Sequence, residues 1–149
     1  MRVILQRVSQ GSVTVENRVT GAIEKGFVAL VGITHTDTQA EAELLAKKTA
    51  NLRVFEDADG KMNRSVLELG GSMLVVSQFT LYGDVRRGKR PSFDDAATPP
   101  IAKEFYELFV QRIRRAGIQC ETGRFQEMMQ VSLVNEGPVT ILIDSRRAF

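Results

Sequence analysis

Four residues, Ser77-Gln78-Phe79-Thr80, fall inside the stretch LVVSQFTLY and are the first candidates for chemistry. An apolar run leads into them as it would into a buried strand. Functional groups gather where such a strand gives way to a loop. Serine, glutamine and threonine donate and accept hydrogen bonds without titrating. That set suits a neutral carbonyl, an amine or a ribose hydroxyl. It also suits an oxyanion held by side-chain and backbone donors. Hydroxyls at a strand end can equally cap the local backbone, and these four residues alone leave both readings open.

The second candidate stretch is Asn135-Glu136-Gly137-Pro138-Val139-Thr140. A proline between two strands removes a ladder donor, so it belongs at a turn or bulge. The glycine before it reaches backbone angles closed to other residues. A trans bond is the ordinary expectation for such a pair. The asparagine can hydrogen-bond the local backbone.

Other site signatures are missing. One histidine, His35, and one cysteine, Cys120, cannot furnish a zinc site. There is no phosphate loop and no dinucleotide glycine fingerprint. A serine–histidine–carboxylate triad would need His35, just before a helix. A Cys120–His35 pair would join residues far apart in sequence, and an inert packed thiol is the plainer expectation. An enzyme built from this chain works with little acid–base equipment, and neither metal nor cofactor is expected.

At 149 residues the chain is expected to form one domain, 1–149. That length buries about two thirds of the unfolded surface, so no staples are needed. A lone cysteine suits a reducing compartment. The opening MRVILQRVSQ breaks at Gln6 and Arg7, too soon for a signal peptide. No segment nears the roughly 18 apolar residues of a membrane span. The expected protein is soluble and cytoplasmic, with no membrane partner. Net charge is only +2, but Arg86, Arg87, Lys89 and Arg90 cluster, as do Arg112, Arg114 and Arg115. Such clusters meet phosphates or form a solvated face.

The elements that must position these residues are legible in outline. Val3 to Val8 and Ser12 to Val15 predict strands, with a turn at Glu16-Asn17-Arg18 and a return over Val19 to Ile23. Phe27 to Ile33 is a nearly continuous apolar run, the mark of a strand buried on both faces. Thr38 and Glu41 have capping-box spacing, and Ala42, Leu45, Ala46 and Thr49 follow at helical spacing. Arg53 to Phe55 predicts a short strand, Asp57 to Gly60 a turn, and Met73 to Gln78 another central strand. Thr80 to Pro100 is expected to be an irregular binding loop. A second helix follows, with Ile101, Phe105, Leu108, Phe109 and Ile113 as its apolar stripe and Gly117 at its end. Met128 to Val134 and Val139 to Ile143 predict two closing strands joined by the Asn135–Pro138 turn. The sum is an α+β domain, either a mixed or antiparallel sheet or a small barrel with two outer helices.

Taken together, the two candidate stretches resemble the D-aminoacyl-tRNA deacylase family. Ser77-Gln78-Phe79-Thr80 is similar to its SQ-x-T motif, and Asn135 to Thr140 to its N-x-GPVT motif. The resemblance runs the whole length, through LQRV, SVTVE, VTG, DADGKMN, GGSMLVVSQFTLYGD, the RPSF of Arg90 to Phe93 and VSLVNEGPVT. It implies a homodimeric, β-barrel-like fold with helices outside. It implies hydrolysis of the ester joining a D-amino acid, and glycine as well, to the terminal adenosine of tRNA. Ser77, Gln78, Phe79 and Thr80 would line the pocket around that ester. Gly137 and Pro138, joined by a cis bond, would reach into the partner subunit's site and exclude L-amino acids. Arg7 would hold that motif in place, and Asn135 belongs to it. No side-chain nucleophile is implied; the 2′-hydroxyl of the RNA assists attack by water. One departure lies at Gly123-Arg124-Phe125-Gln126-Glu127, where many relatives carry small residues after the phenylalanine. Phe125 and Met129 are candidate substrate contacts outside the catalytic set.

Two other classes compete. A non-catalytic RNA-binding module, motivated by Arg86 to Arg90, predicts salt-sensitive binding without ester cleavage. A serine or threonine esterase predicts an acyl-enzyme at Ser77 or Thr80.

Overall fold

The computed structural model of the chain describes residues 1–149. Its elements run β1 (Arg2–Val15), β2 (Arg18–Ile23), β3 (Gly26–Gly32), α1 (Gln39–Asn51), β4 (Phe55–Glu56), β5 (Met62–Arg64) and α2 (Val66–Leu69). Then come β6 (Ser72–Ser77), one 3₁₀ turn (Phe79–Tyr82), α3 (Pro99–Arg115), β7 (Gln119–Thr122) and β8 (Gln130–Asp144). Two expected strands at the start are one. In β1 Val3 and Leu5 face one core and Val8, Val13 and Val15 the other, with two buried residues in succession at Arg7 and Val8. The pairing register with β8 slips on both sides of Val8. A bulge there turns the second half of the strand onto the other side of the sheet, which reads in sequence as a break.

The sheet is mixed, as expected. β1 pairs antiparallel with β3, β2 and β8, while β6 lies parallel to both β3 and β7. The order β2-β1-β3-β6-β7 curls until its ends nearly meet. At that seam a Cβ on Gly21 of β2 would stand 2.9 Å from the Thr122 carbonyl oxygen of β7, so only glycine allows the approach. The barrel interior holds Val8, Val13, Ile23, Val28, Leu74 and Val76. A larger core lies between the outer face of the sheet and the helices, around Phe27, Phe55, Leu45, Met73 and Phe109. Each such fully buried side chain contributes on the order of 1.5–3 kcal/mol.

Three helices form, not two. The third, α2, is one turn capped by Ser65 and Glu68. In α1 the Thr38–Glu41 capping box is present, and Ala42, Leu45, Ala46 and Thr49 are buried as their spacing predicts. In α3 the expected stripe holds at Phe109 and Ile113, which are buried, and at Phe105 and Leu108, which pack half-buried on the core, and fails at Ile101. The buried face is Ala102, Tyr106, Phe109, Val110 and Ile113, and Ile101 is exposed. Tyr106 turns inward because its hydroxyl donates to the Val75 carbonyl at 2.9 Å, which satisfies its one polar group. Arg112 of α3 pairs with Glu43 of α1 and ties the two helices.

The chain from Thr80 to Pro100 is less irregular than expected. It opens in the 3₁₀ turn, and bridges at Asp84–Ser92 and Thr34–Ala96 pin it. The two expected closing strands are also one. Gln6 of β1 faces Thr140 and Val8 faces Asn135, so residues 136–139 bulge out of β8 opposite Arg7 alone. No helix is long and apolar enough to cross a membrane.

Candidate active site

β6 runs buried through Met73 to Val76, and the chain emerges at Ser77 and Gln78, which are half-buried. The 3₁₀ turn then presents Phe79, 55% exposed, and Thr80. These four residues line one wall of a cavity of about 820 Å³. Phe93, Ala97 and Ala102 form a second wall, and Phe125 to Met129 with Val131 a third. The Phe79 and Phe93 rings meet edge to face, centroids 5.1 Å apart, at the rim.

Within the cavity the Gln78 amide Nε2 donates to Thr80 Oγ1 at 3.1 Å. The threonine oxygen is thereby used as an acceptor, leaving its own proton to donate to a ligand. Phe79 and Thr80 open a 3₁₀ turn, so their N–H groups have no acceptor inside it. The arrangement offers uncharged donors at a strand end and no titrating group among the four.

The second motif lies elsewhere on the chain. Gly137 and Pro138 are exposed and joined by a cis bond. Beneath them Arg7 is only 6% exposed. Its Nε donates to the Glu136 carbonyl at 3.1 Å and its Nη1 to the Val54 carbonyl at 2.7 Å. Asn135 Nδ2 donates to the carbonyls of Arg7 and Val139, both at 3.0 Å, and so brackets the bulge. Arg7 and Gly137 line a smaller cavity of about 250 Å³ with Lys25, Phe55, Glu56 and Glu136. It shares no residue with the cavity at Thr80. The structure thus brings Ser77, Gln78, Phe79 and Thr80 together, and separately Arg7, Asn135, Gly137 and Pro138.

Two contributors have no role in the sequence reading. The Val54 carbonyl anchors Arg7, and a carbonyl leaves no mark in a sequence. Phe93 lies in the RPSF stretch, whose spacing points to no function. Gln126 and Glu127, which the sequence does single out, both line the cavity, and Gln126 sits at a φ of 62°, left-handed for a non-glycine residue. The larger residues that mark this chain's departure therefore lie on the cavity wall. Of the excluded nucleophile candidates, Cys120 is buried, and burial pushes its thiol up to about 11. His35 is exposed and lines neither cavity. Beyond the 3₁₀ turn, the Arg86 guanidinium and backbone hold the Asp84 carboxyl down at about 2. No group of three or more histidine, cysteine or acidic residues converges as a metal site.

Fold and site together define a small barrel-like α+β protein with neutral donors along one wall of its cavity. The comparisons carry the assignment further. The family described as D-Tyr-tRNA(Tyr) deacylase matches residues 4–144. The D-aminoacyl-tRNA deacylase of Koribacter versatilis (strain Ellin345) is 62% identical over 149 residues, covering all of both chains. That of Symbiobacterium thermophilum (strain DSM 24528 / JCM 14929 / IAM 14863 / T) is 58% identical over 149 residues, covering 100% of this chain and 99% of its own. Among solved structures, the c-Myc DNA Unwinding Element Binding Protein superposes with a TM-score of 0.90 at 40% identity, covering 97% of this chain and 98% of that one. A probable eukaryotic D-amino acid tRNA deacylase superposes at 0.84 and 18% identity, over 95% of this chain and 97% of that one, and speaks for the fold alone. The chain belongs to the D-aminoacyl-tRNA deacylase family, and it is an enzyme, a hydrolase.

Proposed function

We propose that this chain hydrolyses the ester between a D-amino acid and the terminal adenosine of tRNA, acts on glycyl-tRNA as well, and spares L-aminoacyl-tRNA. The observation that carries this is the cavity at the end of β6, with its Gln78–Thr80 pair and turn N–H groups. An aminoacyl ester is already activated, so orientation and donors aimed at the developing oxyanion suffice for hydrolysis. Thr80 and the turn N–H groups bind the carbonyl. Phe79 and Phe93 cover the rim. Water attacks with help from the substrate's own 2′-hydroxyl.

Selection against L-amino acids falls to the Gly137–Pro138 segment, held by Arg7 and Asn135. A rigid backbone placed where an L side chain would go excludes it sterically. The segment and the cavity are apart within one chain, so the site is completed by a second copy. Two features support that reading: the segment projects into solvent, and β8, 15 residues long, is paired along one edge only. Such an edge is a ready surface for association.

The test is release of amino acid from matched D-, L- and glycyl-tRNA. The expected result is cleavage of the D- and glycyl-substrates with the L-substrate spared. Mixing a Thr80→Ala protein with a Gly137→Val protein probes the dimer. Heterodimers with one intact composite site should regain turnover that neither variant has, and no regain would count against the shared site. The name of the solved relative at 40% identity favours one second reading, a nucleic-acid-binding module without turnover. RNA binding with no cleavage of any ester would establish that reading.

A further inference from the structure

The cavity at the end of β6 has a neighbour. A second depression of about 820 Å³ lies between α3 and the connection from β7 to β8. The two share Phe125 and Glu127, so they adjoin across that segment. The second depression is lined by four cations, Lys103, Arg114, Arg115 and Arg124, against two carboxylates, Glu107 and Glu127.

These cations are not equally committed. Arg114 donates to the Cys120 carbonyl at 3.0 and 3.2 Å and belongs to the fold. Lys103 lies 3.9 Å from Glu107 and Arg124 4.0 Å from Glu127, all on exposed side chains. Such pairs are weak and yield to a stronger anion. Arg115 is exposed and makes neither a hydrogen bond nor an ion pair. At the junction, the Phe125 ring leans on the buried Tyr106 ring, centroids 6.0 Å apart, which fixes it in place. An aromatic platform leading into a cationic groove is the arrangement that receives single-stranded nucleic acid, with bases stacked and phosphates on the charges.

We propose that this groove is the track of the single-stranded 3′ end of the RNA substrate. With the aminoacyl-adenosine in the β6 cavity, the preceding nucleotides pass Phe125, and their phosphates meet Arg124, Arg115 and Lys103. The inference rests on the reading that the β6 cavity takes the aminoacyl-adenosine. The rival surface is the basic loop from Arg86 to Arg90. It fits less well. Arg86 is held by both oxygens of Asp84, at 2.9 and 2.7 Å. The four cations of that loop line neither cavity, and they stand beyond the Asp84–Ser92 bridge.

Two variants and two substrates test it. The groove variant is Arg115→Gln with Arg124→Gln, and the loop variant is Arg87→Gln, Lys89→Gln and Arg90→Gln. The substrates are D-aminoacyl-tRNA and the D-aminoacyl ester of adenosine alone, which has no phosphate. The groove variant should raise KM for the tRNA and flatten log affinity against log salt by about 1.4, at roughly 0.7 per lost contact. It should cleave the adenosine ester like the unaltered protein. The loop variant should change neither slope nor KM. An unchanged slope in the groove variant, or a change confined to the loop variant, overturns the track. Anisotropy with a fluorescent single-stranded RNA ending in adenosine reads the same slope without turnover. If the unaltered protein cleaves no D-aminoacyl ester, the functional reading fails, and the anisotropy slope still decides whether the groove holds RNA.

Discussion

Replacing Arg7 by methionine separates the grip on the Gly137–Pro138 segment from everything else Arg7 does. Methionine keeps most of the buried stem and removes the guanidinium. Two hydrogen bonds are lost, to the carbonyls of Glu136 and Val54. Bonds from a charged donor contribute about 1.5–3 kcal/mol each. The Glu136 carbonyl lies beside an exposed segment and can take up water, whereas Val54 is 7% exposed and its carbonyl stays dry. The expected net loss is therefore near the lower end of the sum, about 3 kcal/mol. For a domain of this length that lowers Tm by about 6–12 °C. The guanidinium midpoint should fall with an unchanged slope. The segment then swings more freely, and discrimination between D- and L-aminoacyl-tRNA should narrow. If about 2 kcal/mol of the lost grip acts on the excluded pose, the ratio of the two kcat/KM values falls about 30-fold. Arg7→Lys should behave similarly, because an ammonium cannot bridge both carbonyls as the planar fork does. Destabilisation below about 1 kcal/mol would show that the two bonds hold nothing. Full destabilisation with the D to L ratio intact would leave Arg7 as a fold anchor and refute the link between its grip and selection.

Other expected outcomes follow from single residues. Gly137→Ala should be destabilised by about 1–2 kcal/mol by its φ of 123°, a backbone state that L residues rarely adopt. Its Cβ would also stand 2.9 Å from Val139 Cγ2 and 3.0 Å from Val139 N, so denaturant melts should show a loss at least that large. Tyr106→Phe removes the hydroxyl bonded to the Val75 carbonyl and should cost about 1–2 kcal/mol by the same measurement. Turnover of the adenosine ester should survive, since the Phe125 platform keeps its ring partner. Cys120 should resist alkylation at pH 8 in the native protein and react promptly in guanidinium. Its buried thiol ionises at about 11 against an ordinary value of 9.0. The unfolded chain releases that proton first, so stability falls as pH rises from about 9 to about 11 and is untouched by this group below that window. Cys120→Ser should remove that part of the alkaline slope, while buried Tyr82 and Tyr106, whose hydroxyls burial also pushes up, keep the part that sets in near pH 10.

What the sequence revealed depended on how local the signal was. The α1 cap needs only Thr38 and Glu41, three residues apart, and it stands as written. The β6 run and the Ser77–Thr80 step out of it were equally plain. The bulge at Val8 and the bulge at residues 136–139 are properties of a pair of strands. Each looks like a strand end when one strand is read alone. The edge of the α3 stripe was less legible for another reason. Ranking by apolarity chose Ile101 over Tyr106, and a buried hydroxyl with a carbonyl partner reversed that choice. The grouping of Arg7 with Asn135 and Gly137 spans 128 residues from Asn135 to Arg7, and no spacing rule reaches that far.

Under the proposed function the chemistry and the selection impose opposite demands, and that reading assigns them to different places, hydrolysis to the Thr80 cavity and selection to the Gly137–Pro138 segment. Hydrolysis of an activated ester needs few groups, so the Thr80 cavity can stay open and adaptable to many side chains. Rejecting one enantiomer needs a surface that does not yield, and a mobile side chain yields. The Glu136–Val139 segment is tied by main-chain acceptors to Arg7 and Asn135, and those two residues are tied to each other. Cutting any one tie leaves the others in place. Asn135→Ala with Arg7→Met should therefore lose more discrimination than the two single changes predict when added. A double-mutant cycle on the D to L ratio measures that excess, and strict additivity would mean that the two residues act on separate parts of the segment.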